Sequence, residues 1–246
     1  MAIWIWWAAG LTLTTLAASF VMRKSRDMGY PVLMALFAGY VLSANILAPR
    51  LVVSPIGLAG QILSTGSLIW PFTAQLIDMA NEVYGRRKAY TILAVAYLVN
   101  CVFLTTVWLG SAVVPIWEEA REAFWLAYFH PAPRILLASL VTSVICVGID
   151  ITVFASLKRR HMRIEADAGL RKILVLAGLR AVTSDMVNMV LDGVLFAVLA
   201  FSFVLPIKDL VGVILGSIVV KALLALVDKP WFVLFRVLVR RVRRDY

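Results

Sequence analysis

Seven apolar stretches, at roughly residues 3–22, 31–49, 62–82, 88–112, 134–157, 172–204 and 209–228, fill most of the chain. Each has about the 20 residues that a helix needs to cross a hydrocarbon core of about 30 Å. In hydrocarbon, backbone polar groups must be paired internally, so runs of this length are predicted as helices. The segments between them are short and leave no room for a soluble domain. The expected fold is all-α, a polytopic transmembrane helix bundle. A mean hydropathy of +0.92 and a hydrophobic content of 62% place the chain outside the range of soluble domains.

The third stretch is the least regular, because Gly57, Gly60, Gly66 and Pro71 interrupt it or its approach. It reads either as a continuous span or as a broken, re-entrant element of the kind that lines a cavity.

The formal net charge of +10 raises the question of nucleic acid. That reading requires a basic face on a soluble fold, whereas the Lys and Arg here fall between apolar runs, so no nucleic-acid partner is expected. Most of the 24 basic residues lie in alternate connections and the tail: Arg23, Lys24 and Arg26; Arg86, Arg87 and Lys88; Lys158 to Lys172; and Lys229 to Arg244. The intervening connections carry Glu118, Glu119 and Glu122, or Lys208 beside Asp209. Cytoplasmic loops hold the excess of Lys and Arg, which orients the bundle N-out and C-in. The first stretch lacks a basic region before it and is followed by Arg23, Lys24 and Arg26, so it reads as a retained span and not a cleaved signal peptide. Trp4, Trp6 and Trp7 read as an interfacial belt. After Pro230, Trp231, Phe232, Leu234, Phe235 and Leu238 alternate with arginines, the pattern of an amphipathic helix on an anionic cytoplasmic leaflet.

Charged side chains at the bilayer centre cost about 2.5–3.5 kcal/mol on insertion scales, so those within spans face the interior and mark a site or pathway. The acids needing such an explanation are Asp78, Glu82, Asp150, Asp185 and Asp192; the bases are Arg134, Arg180 and Lys221. Helical spacing organises them. Ser139, Ser143, Cys146 and Asp150 share one face of the fifth span; Asp185, Asn188 and Asp192, led by Arg180 and Ser184, share one face of the sixth; Gln75, Asp78 and Glu82 repeat the spacing on the third. Interhelical glue, worth about 0.6–2 kcal/mol per hydrogen bond, accounts for single serines. Two buried carboxylates, Asp150 and Asp192, on two stripes exceed what packing needs.

Cys101 and Cys146 lie in apolar runs and read as small hydrophobes. His130 and His161 fall in separate connections on opposite sides of the membrane and cannot share a metal site, so no metal centre is expected, and no cofactor. The chain contains no HExxH, GxSxG or GxxxxGK[ST] motif, and no enzyme is expected.

The order of these residues resembles the queuosine precursor transporter family, also called the vitamin uptake transporter family. The likeness runs from Asn45 in Ser-Ala-Asn-Ile-Leu-Ala, through Trp70-Pro71-Phe72, Asp78 and Asn81-Glu82-Val83-Tyr84-Gly85, to Arg134-Ile-Leu-Leu-Ala-Ser139 with Asp150 and Phe154. It continues in Ser184, Asn188, Asp192 and Phe196, and ends at Lys221 and Lys229-Pro230. It covers about residues 40–232. Where the family commonly has a glutamine before each span aspartate, this chain has Cys146-Val147-Gly148 and Asn188. The resemblance implies a six-helix core at 31–230, preceded by an additional helix and first cytoplasmic loop at 1–30 and followed by a basic amphipathic tail at 231–246. It implies an inner-membrane importer of a 7-deazapurine, such as 7-cyano-7-deazaguanine or its aminomethyl relative, salvaged for tRNA modification. The expected substrate-binding residues are Asn45, Trp70, Phe72, Gln75, Asp78, Glu82, Arg134, Ser139, Asp150, Arg180, Ser184, Asn188, Asp192 and Lys221. The expected partners are a small-molecule substrate and the bilayer, with self-association left open. The same features also fit a substrate-capturing subunit of an ATPase-energised vitamin uptake system, or a lipid-interacting protein that carries no solute.

Overall fold

A computed structural model describes residues 2–48, 50–53, 62–116, 118–129, 132–166 and 168–239. Gly57, Gly60, His130 and the arginines of 240–246 lie outside them. The helices are α1 (Ala2–Lys24), α2 (Arg26–Leu47), α3 (Trp70–Tyr84), α4 (Arg86–Ser111), α5 (Glu119–Phe129), α6 (Ala132–Ala166), α7 (Leu170–Phe201), α8 (Ile207–Val227) and α9 (Lys229–Leu238). Strands β1 (Leu51–Val53) and β2 (Ile62–Ser64) pair antiparallel between α2 and α3, followed by a 3-10 turn at Thr65–Leu68.

Six segments are long and apolar enough to cross a membrane: Trp4–Lys24, Asp27–Leu47, Arg86–Ser111, Leu137–Glu165, Leu170–Phe201 and Ile207–Leu238. Their outward faces carry exposed Ile5, Leu13, Phe20, Leu98, Val102, Val144, Val190 and Leu215. Surface this apolar belongs in contact with lipid acyl chains.

The remaining stretch, predicted at 62–82, is the broken element. Its helix, α3, has 15 residues, about 22 Å at 1.5 Å per residue, which is too short for a span. Contacts with α1 nevertheless show how far the segment reaches. Trp7 Nε1 donates to the Leu68 carbonyl at 3.1 Å, the Phe72 ring sits on Gly10, Gln75 Nε2 donates to Thr15 Oγ1 at 2.9 Å, and the Tyr84 hydroxyl meets Gly29 beside Met22. Residues 68–84 therefore run parallel to α1 from the level of Trp7 to that of Met22, as a turn followed by a helix.

This short helix is the axis of the bundle. It packs against α2, α4, α6, α8 and α9, and Pro71, Phe72, Ala74 to Glu82 are all buried. A helix buried all round has no face for solvent or lipid, which explains why its polar residues lie inward on every side. Gly85 ends it at φ 81° and ψ 173°, a conformation open essentially to glycine alone, and α4 begins at once. Gly66 in the 3-10 turn presses on the Ala44 carbonyl oxygen of α2, a contact that leaves no room for a side chain.

Two sequence expectations need correction, and one connection holds an element that hydropathy alone does not show. The connection before α6 contains the helix α5, whose Trp125 Nε1 donates to Ser111 Oγ at 2.9 Å. Trp7 is buried against Phe72 and Trp231, whereas Trp6 is 77% exposed; of these two, only Trp6 has the exposure of a belt residue. Residues 229–238 do form an amphipathic helix, but its inner face docks on the bundle and not on a leaflet. Lys229, Phe232, Phe235 and Arg236 are buried, Phe232 stacks edge-on against Phe154, and Trp231 Nε1 donates to Thr12 Oγ1 at 2.8 Å. The reason is electrostatic: its two cations meet carboxylates inside.

Candidate functional site

The stripes read from the sequence converge, and they do so at successive levels along the bundle. The first level is a cavity between α2, the hairpin and 3-10 turn, α3, α4, α6, α7 and α8. Aromatic walls come from Phe37, Trp70, Tyr97 and Phe196. Its charged lining is the ion pair of Lys221 Nζ with Asp192 Oδ2. The pair is almost buried, and the exposure it retains faces the cavity. Beside it Asn45 Nδ2 donates to Asn100 Oδ1 at 2.7 Å, while Asn45 Oδ1 accepts from Ser139 Oγ at 3.0 Å. One amide thus ties α2, α4 and α6 together at the cavity wall. Tyr97 faces Ser143, and Asn100 anchors the chain by donating to the Ala96 carbonyl at 2.8 Å.

The second level lies one to two helical turns further along. Asp78 of α3, Asp150 of α6 and Asp185 of α7 bring carboxylate oxygens within 4.8 Å of one another, all buried. Lys229 pairs with Asp185 and lies 3.1 Å from Asp228 Oδ1. Ser184 faces Asp150.

The third level is a closed ring of alternating charge. Arg180 Nη2 lies 2.9 Å from Glu82 Oε2, Arg180 Nη1 pairs with Glu165, Arg236 Nη2 lies 3.2 Å from Glu165 Oε2, and Arg236 Nε lies 2.8 Å from Glu82 Oε1. Arg180 itself is 0% exposed. Two carboxylates and two guanidiniums thereby neutralise one another in the protein interior, the arrangement that makes buried charge tolerable. Lys158 Nζ closes the end of α3 by donating to the carbonyls of Asn81 and Glu82 at 3.0 and 2.5 Å.

Of the residues expected to bind substrate, Asn45, Trp70, Ser139, Asp192 and Lys221 line the cavity. Asp78, Asp150 and Ser184 belong to the second level, and Glu82 and Arg180 to the ring. Phe72 and Gln75 face α1, and Asn188 is buried. Arg134 stands apart: it is exposed and donates to the carbonyls of Leu199 and Ser202, at 3.1 and 2.5 Å, at the end of α7. Basic side chains at helix C-termini satisfy free carbonyls in this way.

Sequence reasoning missed Glu165, which it assigned to a connection, Asp228, the last residue of the seventh stretch, and Arg236, assigned to the tail; Lys229 entered only in the Lys229-Pro230 of the resemblance and not as a site residue. It also weighed only His and Cys as metal ligands and so did not consider the three converging aspartates. The spacing Asp228-Lys229 followed by Arg236, two turns on, was the available signal that the tail helix has a charged inner face.

A lipid-facing bundle organised around a buried, partly charged cavity is the construction of a polytopic membrane transport protein. A sequence model of the family described as "Putative vitamin uptake transporter" matches residues 64–235. The chain belongs to that family, and the matched segment runs from the last residue of β2 into α9. No curated protein and no solved structure matches the chain.

Proposed function

We propose that the chain imports a 7-deazapurine, such as 7-cyano-7-deazaguanine or its aminomethyl relative, for salvage into tRNA modification. The observation that supports this reading most directly is the Asp192–Lys221 pair presented to a cavity walled by Phe37, Trp70, Tyr97 and Phe196. A guanine-like edge offers two parallel N–H donors that one carboxylate accepts together, and its ring stacks on aromatic faces. In this reading Asp192 takes the N–H edge, Lys221 meets the carbonyl, and Trp70 and Phe196 hold the ring. With the amino terminus outside, the cavity lies towards the external side beneath the hairpin, and Asp150, Asp185 and the ring follow on the route inward. The residues at these deeper levels position the helices around the path.

The test is uptake of labelled 7-cyano-7-deazaguanine into cells that cannot make it. Cells carrying the gene accumulate label, and Asp192→Asn reduces accumulation to background. Equal accumulation with and without the gene sinks the substrate assignment. An Asp192→Asn variant that transports at the wild-type rate sinks the site assignment alone.

A further inference from the structure

The three levels of buried charge are not alike in their balance. At the cavity one acid, Asp192, meets one base, Lys221. In the ring two acids, Glu82 and Glu165, meet two bases, Arg180 and Arg236. Between them Asp78, Asp150, Asp185 and Asp228 share the single cation Lys229. Among the described residues this is the level where acids outnumber bases.

Like carboxylates this close in a low-dielectric interior cannot all stay ionised without a compensating positive charge. Lys229 is committed to Asp185 and Asp228. That leaves Asp78 and Asp150, facing each other from α3 and α6 and both buried. The one hydroxyl that faces Asp150, that of Ser184, donates to the Ala181 carbonyl at 3.2 Å, and both oxygens of Asp150 and Oδ2 of Asp78 are buried with no hydrogen-bond partner.

An observation outside the acids points the same way. Asn81 stands one turn along α3 from Asp78, and its Nδ2 donates at 2.8 Å to the carbonyl of Ile151, the residue after Asp150. The amide is therefore held at the same α3–α6 contact, yet its Oδ1 is buried with no partner. A buried acceptor left unpaired costs about 1–3 kcal/mol, and a cation bound at this α3–α6 contact supplies what each of these acceptors requires.

We infer that Asp78 and Asp150, with the amide oxygen of Asn81, form a binding site for one small monovalent cation, a proton or a sodium ion, separate from the substrate cavity. Asp150 follows the cavity residue Val147 by one turn, and Asp185 lies two turns from Asp192 on the same helix. Occupancy of the site therefore sets the charge immediately inward of the substrate, which is what coupling a solute to an ion gradient requires. The role in coupling rests on the transport reading above; the binding of the cation does not.

The test uses the full chain in lipid nanodiscs with no purine present. A proton is read by infrared difference spectra between acid and alkaline buffer, as the carbonyl stretch of a protonated carboxyl. Sodium is read by the thermal midpoint in sodium against N-methylglucamine at one pH. The wild type is expected to show one of these responses, and Asp150→Asn and Asp78→Asn are expected to lose it, while Asp192→Asn keeps it. A proton response identifies the occupant as a proton, and a sodium response identifies it as sodium. The proposal is overturned if the wild type gives neither, a result that needs no variant to fold, or if the response survives in both Asp78→Asn and Asp150→Asn. Because no substrate enters the measurement, failure here leaves the uptake experiment untouched, and failure of uptake leaves this site standing.

Discussion

Arg236 Nε lies 2.8 Å from Glu82 Oε1, joining α9 to the central helix through two side chains that are both buried. Removing one partner of a buried pair strands the other, at a cost of about 3–5 kcal/mol. Glu82 keeps Arg180, so Arg236→Ala is expected at the lower end, about 3 kcal/mol, read as a fall in the thermal midpoint of the purified chain. Arg236→Lys restores the charge without the fork and is expected to recover only part of the loss. An unchanged midpoint in Arg236→Ala would show that the ring contributes nothing to stability.

The pair Asp192–Lys221 separates architecture from transport. Each single change, Asp192→Leu or Lys221→Met, leaves one buried charge and is expected to destabilise by about 3 kcal/mol or more. The double variant leaves none, so its midpoint is expected to return towards wild type while uptake stays at background. If the double variant also regains uptake, the pair is structural and the substrate site lies elsewhere.

Gly66 touches the Ala44 carbonyl oxygen, and backbone cannot swing aside as a side chain does. Gly66→Val is expected to push the 3-10 turn off α2, lower stability by about 1–3 kcal/mol and raise the KM for uptake more than it lowers kcat. A variant with unchanged KM would show that the turn does not shape the cavity.

Lys158 donates to the last carbonyls of α3. A charged donor at a helix C-terminus is worth about 1.5 kcal/mol, so Lys158→Met is expected to lose roughly that much by the same thermal measurement. Lys158→Arg, which keeps the charge and donors, is expected to lose less.

The lipid-facing helices were legible because their signal is long and unambiguous: 20 apolar residues have one good solution in a bilayer. The inward stripes were legible too, since Ser139, Ser143, Cys146 and Asp150 fall on one face by helical period alone, and the structure turns Cys146 and Asp150 inward with 0% exposure. What did not show was the depth at which each polar group sits. Arg134 and Glu82 read alike as charges within spans, yet one caps α7 at the surface and the other is sealed in a ring. The difference comes from partners distant in sequence: Arg180 is 98 residues from Glu82. Period reports which face a residue occupies, not what waits opposite it. The tail failed for a related reason. A helix that presents apolar and cationic side chains suits an anionic leaflet or an acidic protein interior equally well, and only the positions of Glu82, Glu165 and Asp185 decide between them.

The place of α9 also bears on how the protein is made. Asp78 and Glu82 leave the ribosome well before Lys229 and Arg236, which neutralise their surroundings. Until then Asp185 lacks its lysine and Glu82 and Glu165 share Arg180 alone, and the central helix lacks part of its enclosure. Insertion of the helices up to α8 therefore does not finish the interior, and α9 must dock on helices that are already in place. A message cut short before Lys229 yields spans that enter the bilayer but cannot settle, the kind of product that membrane quality control removes.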